Sequence, residues 1–289
     1  MRYATFIHDG SQKVGAVSAD GQSATALPLT PAEAELGVLA LVARQVQGQA
    51  LPAPTGEAIP LTQVRLMAPV PRPRRNIFCV GRNYQAHAKE LAGSIFKGNN
   101  QPTDVWPMIF TKVPETVIGP FDTVQLPTGI SDQVDYESEL AIVIGQGGRN
   151  IRREDAMAHV WGYTIVNDVT ARDVQTRHAQ WHLGKSFDTF CPMGPWVVTA
   201  DQMDGRDTRV RGWVNGELRQ DASTQDMIFD IPTLIETCSR GITLRPGDVI
   251  STGTPAGVGM GRTPPTYLKA GDVVRIEIDG IGAIENRFA

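Results

Sequence analysis

The stretch VDYESELAIVIG, residues 134–145, decides how this chain is read. Leu140, Ile142, Val143 and Ile144 make a buried strand, yet Glu137 and Glu139 interrupt it two positions apart. Side chains two apart along a strand share a face. The two carboxylates therefore stand with Ala141 and Val143, opposite Tyr136, Ser138 and Leu140. Taken alone, the pair fits two solvated carboxylates at an exposed strand end. A third acid weakens that reading. In GYTIVNDV, residues 162–169, Asp168 ends another apolar strand on the face of Thr164 and Val166. Unpaired buried carboxylates are costly, and like charges sharing a site push one pKa up unless something neutralises them. A hard divalent cation does so, and an all-oxygen donor set selects Mg²⁺, Mn²⁺ or Ca²⁺ over zinc. Three carboxylates leave about half of an octahedron free for water or substrate, which favours catalysis over a structural role.

Around this strand the composition is ordinary: 289 residues, 41% hydrophobic, 20% charged, net charge -4. That length allows one large domain, or a large domain with a small companion. The charge gives no electrostatic reason to expect nucleic acid or an acidic membrane as partner. The opening MRYATFIHDG lacks the basic-then-apolar pattern of a signal peptide, and no apolar run approaches the roughly 18 residues of a membrane span. Cys79, Cys191 and Cys238 form no C-x-x-C pair and are odd in number. This suits reduced thiols in a cytoplasm better than a disulfide framework or a zinc site.

The N-terminal segment divides from the rest. Two short strands, YATFIHDG and KVGAVSADG, precede a capping box at Thr30-Pro31-Ala32-Glu33. Leu36, Leu39, Ala40, Ala43 and Val46 then recur at helical spacing until Gly48. Residues 51–75 are proline-rich and end in APVPRPRR, an extended linker whose Arg72, Arg74 and Arg75 read as a solvated face. A small N-terminal domain with its linker over 1–70, and a larger one over 71–289, follow. From Asn76 the chain is mostly strands with Gly/Pro turns, and the helices are short: roughly 84–92, 153–158, 170–180 and 230–239. LRPGDVISTG and LKAGDVVRIEIDG echo each other as similar strand entries. The fold class is a β-rich α+β, without the βαβ alternation of a doubly wound sheet.

Two further constellations carry chemistry. In GRNYQAHAKELAG, residues 81–93, Asn83 can cap a short helix and Gly93 can end it. His87 and Glu90 are then i and i+3 on one face. Such a pair is often a surface pair without function, but a carboxylate that orients an imidazole is also what proton abstraction from water needs. In TARDVQTRHAQWHLGKSFDTFCPMGPW, residues 170–196, Arg172 and Gln175 are i and i+3 just after Asp168, and Lys185 follows in a Gly-Lys-Ser turn. That turn lacks the spacing of a phosphate loop, and GTPAGVGMG (253–261) lacks the G-x-G-x-x-G order. His178 and His182 are i and i+4, without the glutamate of a zinc-protease helix, and suit surface or supporting roles. Ser186 and Cys191 have no evident base, so nucleophilic catalysis is unsupported.

DYESE, GYTIVNDVTARDVQ, GKSFDTFCPMGPW and STGTPAGVG, in this order, resemble the fumarylacetoacetate hydrolase family over Asn76 to the C-terminus. The resemblance implies a mixed β-sandwich roll with a small N-terminal α/β domain, a homodimer, and an Mg²⁺ or Mn²⁺ site in which Ca²⁺ can stand in within crystals. By position it makes Glu137, Glu139 and Asp168 the metal ligands, and His87 and Glu90 a catalytic dyad. Lys185 becomes the oxyanion-stabilising lysine, and Arg172, Gln175 and Thr254 the substrate contacts. The chain departs from the family pattern in SIFKGNNQPTDVWPMIFTK, where Lys97, Asn99, Asn100 and Trp106 become candidates for a gating loop. It departs again at Lys112-Val113-Pro114, which puts a role for Lys112 in doubt.

The expected activity is hydrolysis of a C–C bond in a β-diketo acid, an acylpyruvate or fumarylpyruvate, to a 2-oxo acid and a carboxylic acid. The same core also serves a 2-hydroxymuconate-type isomerase or a 2-oxo diacid decarboxylase. A non-catalytic 2-oxo acid binder is the reading from a different class.

Overall fold

The computed structural model describes residues 1–92, 105–177 and 179–289. Its largest element is a twelve-stranded sheet. Neighbouring strands along its main path are Ile59–Pro60, Ser23–Ala26, Ser11–Val17, Arg2–His8, Cys191–Thr199, Val160–Asn167, Ser138–Ile144, Val249–Ser251, Ile77–Gly81 and Met108–Lys112. The N-terminal hairpin turns at Asp9 and Gly10, both at positive φ, as a two-residue hairpin loop requires. Its first strand pairs antiparallel with Cys191–Thr199, Tyr3 opposite Val197, so one sheet runs through the N-terminal segment and the rest.

The strand of the opening stretch sits near the middle of this sheet, and all seven residues Ser138–Ile144 are buried. The reason is cover on both faces. Leu140, Ile142 and Ile144 join one apolar cluster, while Ala141 and Val143 join another with Val38, Leu41 and Val42 of the N-terminal segment. A strand buried on both sides reads as a continuous apolar run rather than an alternation. A second, four-stranded antiparallel sheet is ordered Glu217–Ser223, Arg209–Val214, Val273–Ile278 and Gly282–Arg287. It turns Val210, Val274, Ile276 and Ile278 into the first cluster, which closes the sandwich. The protein is thus β-rich α+β with mixed sheets, as the sequence pattern implies.

The helices differ from expectation in detail. The Thr30 capping box forms, but the helix breaks at Gly37 (φ 61) into Pro31–Glu35 and Leu39–Val46. A Cβ at Gly37 would stand 2.5 Å from Pro69 O, so close packing of the linker sets the break. Arg153–His159 is a 3₁₀ helix, and the span 170–180 holds only Arg172–Thr176, with His182–Lys185 beyond it. Arg75 is no solvated linker residue: its guanidinium is salt-bridged to the buried Asp248. The two echoing segments share one turn, in which Asp248 accepts from Arg245 N and Asp272 from Lys269 N, three residues back.

Candidate active site

Strand register assembles the acids. Ser138 lies opposite Asn167 and Glu139 opposite Val166. Glu137 stands in the short break between Val134–Asp135 and Ser138–Ile144, pinned by Asn167 Oδ1, which accepts from Glu137 N at 3.0 Å. Asp168 N donates to Glu137 O across the same break at 3.0 Å. One carboxylate oxygen from each of Glu137, Glu139 and Asp168 lies within 4.8 Å of the others, and all three residues are buried.

Cations ring this cluster unevenly. Lys185 Nζ donates to Glu137 Oε2 and to Asp168 Oδ2, both at 2.8 Å. Arg172 reaches Glu137 Oε1 at 2.7 Å through Nη1 and Asp135 Oδ2 at 2.9 Å through Nε. Lys112, whose role the sequence left in doubt, is fully buried and donates to Asp168 Oδ1 at 2.7 Å and Val169 O at 3.0 Å. That doubt is corrected: the Lys-Pro pair is absent, but the lysine is spent on Asp168. Glu139 instead accepts from Ser251 Oγ at 2.6 Å and Gly253 N at 2.9 Å. Among the described residues it has no cationic partner.

The electrostatics follow. Burial opposes ionisation of Glu137, but Lys185, then Arg172 and His87, hold its carboxyl down at about 2. Burial, reinforced by Asp168 and Glu137, pushes Glu139 well above the usual carboxylate range. Burial alone would lower Lys185, yet Asp168 and Glu137 raise it, so it stays charged. The ion pairs that Lys112, Arg172 and Lys185 make go to Asp135, Glu137 and Asp168, and among the described residues none reaches Glu139. A buried three-oxygen donor set short of positive charge fits a hard divalent cation.

The helix Gln85–Ala92 covers the acids. His87 is 2% exposed and its Nδ1 lies 3.1 Å from Glu90 Oε2. Glu90 Oε1 accepts from Gly257 N at 3.0 Å, and Leu91 packs on Val258 and Met260. A Cβ at Gly261 would stand 2.1 Å from Glu90 Cδ, so glycine here leaves room for the Glu90 carboxylate where it sits. Asn83 does not cap the helix as expected. Its side chain accepts from Phe229 N and donates to Phe229 O and Thr252 O, which ties the start of the segment to two loops. Gly93, Lys97, Asn99, Asn100 and His178 lie outside the described residues, and Trp106 carries the Arg240 guanidinium over its ring.

The remaining walls come from Val80, Gly81, Arg82, Phe110, Gln175, Trp181 and Thr254, which close tightly over the acids. Gln175 Oε1 accepts from Arg172 Nη1 at 3.2 Å, and Thr254 Oγ1 accepts from Gln220 at 2.8 Å. His182 turns away, with Nδ1 3.0 Å from Thr111 O. Cys191 is buried and its thiol pushed up to about 12, unsuited to attack. Residues that the sequence reading passed over are Asp135, Ser251 and Arg82. Asp135 had a signal, since it shares strand parity with Glu137 and Glu139; Ser251 and Arg82 had none.

Residues 76–289 match the family described as fumarylacetoacetate (FAA) hydrolase C-terminal, and residues 1–69 match the one described as Rv2993c-like, N-terminal. The chain belongs to the fumarylacetoacetate hydrolase family. It is 51% identical over 229 residues to an oxaloacetate tautomerase of Bacillus subtilis (YisK), covering 79% of this chain and 74% of that protein. It is 48% identical over 228 residues to a mitochondrial oxaloacetate tautomerase of Xenopus laevis, covering 78% and 68%. A solved structure of a fumarylacetoacetate hydrolase from Exiguobacterium antarcticum superposes with a TM-score of 0.85 at 42% identity, covering 100% of this chain and 99% of that one.

These relatives correct the expected activity. At 51% and 48% identity they are named for tautomerisation, an isomerase reaction, and not for C–C hydrolysis. The physical reason lies in what the motifs encode. The motifs place acids, a His–Glu pair and a lysine together, and none of them specifies which bond changes, so their presence does not select hydrolysis. The isomerase alternative is the better supported one.

Proposed function

We propose that this protein is a divalent-metal-dependent isomerase that interconverts the keto and enol forms of a small 2-oxo diacid of the oxaloacetate type. The observation that carries this reading is the 51% identity to an oxaloacetate tautomerase over 229 residues, beside the buried triad. Glu137, Glu139 and Asp168 would hold the ion, taken as Mg²⁺ or Mn²⁺, and it would supply Lewis-acid polarisation of the 2-oxo group. Arg172 and Gln175 orient the substrate's carboxylate end. Glu90 on His87 Nδ1 leaves Nε2 as the base that takes the proton from C3. The C3–H electron pair becomes the C2=C3 bond, and the carbonyl pair moves onto the C2 oxygen. Lys185, kept protonated by Asp168 and Glu137, donates to that oxygen as its charge develops. The proton then returns to the C2 oxygen, and the enol leaves with no atom gained or lost. Thr254 closes the pocket wall, and a homodimer is the assembly we take from the family.

The test is direct. Enol-oxaloacetate is added to purified protein with Mn²⁺, and loss of its ultraviolet absorbance is followed beside product analysis. Ketonisation well above the buffer rate, without pyruvate release, is expected. A rate equal to buffer overturns the reading.

A further inference from the structure

We propose that Arg82 receives the second carboxylate of the 2-oxo diacid and so selects dicarboxylic over monocarboxylic substrates. The inference deepens the tautomerase reading and rests on it for the substrate class. Arg82 lines the same narrow cavity as His87, Glu137, Arg172, Gln175 and Lys185. The lysines and the other arginine around the triad are already matched: Lys112 to Asp168, Arg172 to Asp135 and Glu137, and Lys185 to Glu137 and Asp168. Among the described residues Arg82 has no carboxylate partner, and its Nε is buried without a hydrogen-bond partner. A guanidinium has five donors in a fixed fork, and a buried one of these donors without an acceptor is costly to keep. Burial accordingly lowers the Arg82 pKa.

The backbone adds a second, independent observation. Arg82 is held at φ 55, in the left-handed region that side-chain-bearing residues rarely occupy. The next residue is Asn83, whose amide is fixed to Phe229 and Thr252, so the chain cannot relax without giving up those bonds. Strain sustained in this way marks a residue whose placement is used. At the acid end of the cavity, Arg172 Nη2 is also buried without a partner. Both arginines line one small cavity, one beside the triad and one at the strand end that leads to the covering helix, and each keeps a guanidinium N–H without a partner among the described residues. A short dianion with a carboxylate at each end satisfies both.

Malate and lactate provide the test, because they share a 2-hydroxy acid end and differ only in the distal carboxylate. Calorimetric titration of the Mn²⁺-loaded protein should show wild type binding malate more tightly than lactate. Arg82→Asn, chosen because asparagine tolerates positive φ, should weaken malate at least about tenfold. Its lactate affinity should stay within about twofold of wild type, since no hydrogen bond to that ligand is lost. Arg82→Lys, which keeps the charge but not the fork, should fall between, and it carries the test if the asparagine variant does not fold. Equal losses for both ligands, unchanged malate affinity, or a wild type that does not prefer malate would each overturn the proposal. Titration does not depend on turnover. A protein that fails the ketonisation assay yet shows the Arg82-dependent preference therefore refutes the tautomerase reading and keeps this one.

Discussion

The floor and the cover of this site are built in opposite ways. The floor stands on central strands: Glu139 in Ser138–Ile144 and Asp168 at the end of Val160–Asn167, each strand bound to the other by ladder pairs. Its contacts are charge-assisted and buried, from Lys112, Arg172 and Lys185. The cover is one two-turn helix, Gln85–Ala92, resting on a glycine-rich loop through the bond from Gly257 N to Glu90 and the packing of Leu91. A floor on strands holds ligand geometry against the pull of a cation, since shifting a ligand means shifting a sheet. A cover on a short helix can carry the proton-handling groups without fixing the ion. Binding and proton transfer are therefore expected to separate by region.

The largest expected effect breaks the cover alone. His87→Gln should lower kcat by about 10²–10⁴-fold, the usual worth of a general base, while Mn²⁺ affinity measured by calorimetry stays at the wild-type value. A parallel loss of metal affinity would erase the separation.

A middle-sized effect tests the floor. Lys112→Met removes the fully buried donor to Asp168. Taking away a positive charge favours a cation, but releasing Asp168 from its orientation opposes it. Orientation should win, weakening Mn²⁺ binding about 10–100-fold, as read by the same titration. Unchanged affinity would mean that the strand alone orients Asp168.

The smallest effect is in pH. In the metal-free protein the Glu139 carboxyl is raised above its ordinary 4.5. Its contribution to stability is therefore fully present below 4.5 and is lost as pH rises through the folded-state value. Glu137, held at about 2, has the opposite sign: its contribution is present above 4.5 and lost only as pH falls towards 2. Above roughly pH 5, then, the metal-free protein should lose unfolding free energy as pH rises, at up to about 1.4 kcal/mol per pH unit while Glu139 titrates, read by denaturant titration. Glu139→Gln should flatten that slope, and a slope unchanged in the variant would assign it elsewhere.

Much of the floor is legible in the sequence. Parity puts Glu137 and Glu139 on one face, and an acid at the end of a second apolar strand points to Asp168. The i, i+3 spacing pairs His87 with Glu90, and the Thr30 capping box and both Gly-Asp strand entries form as their residues imply. Lys112 is not legible, because its partner is 56 residues away and no local pattern links them. Asn83 reads as a helix cap because asparagine is a good one, but two distant loops compete for its amide and win. The helix through Gly37 fails for a similar reason, since helical spacing is blind to the linker packed against it.

By itself the sequence determined the class of fold, the family and the three acids, because apolar periodicity and short charged motifs are local properties. Only the tertiary structure decided which cation serves which carboxylate, and that among the described residues Glu139 has no ion pair and Arg82 lines the cavity without an acid of its own. Those are sums of charge over residues far apart in the chain. They exist only once the sheet has brought its strands into register.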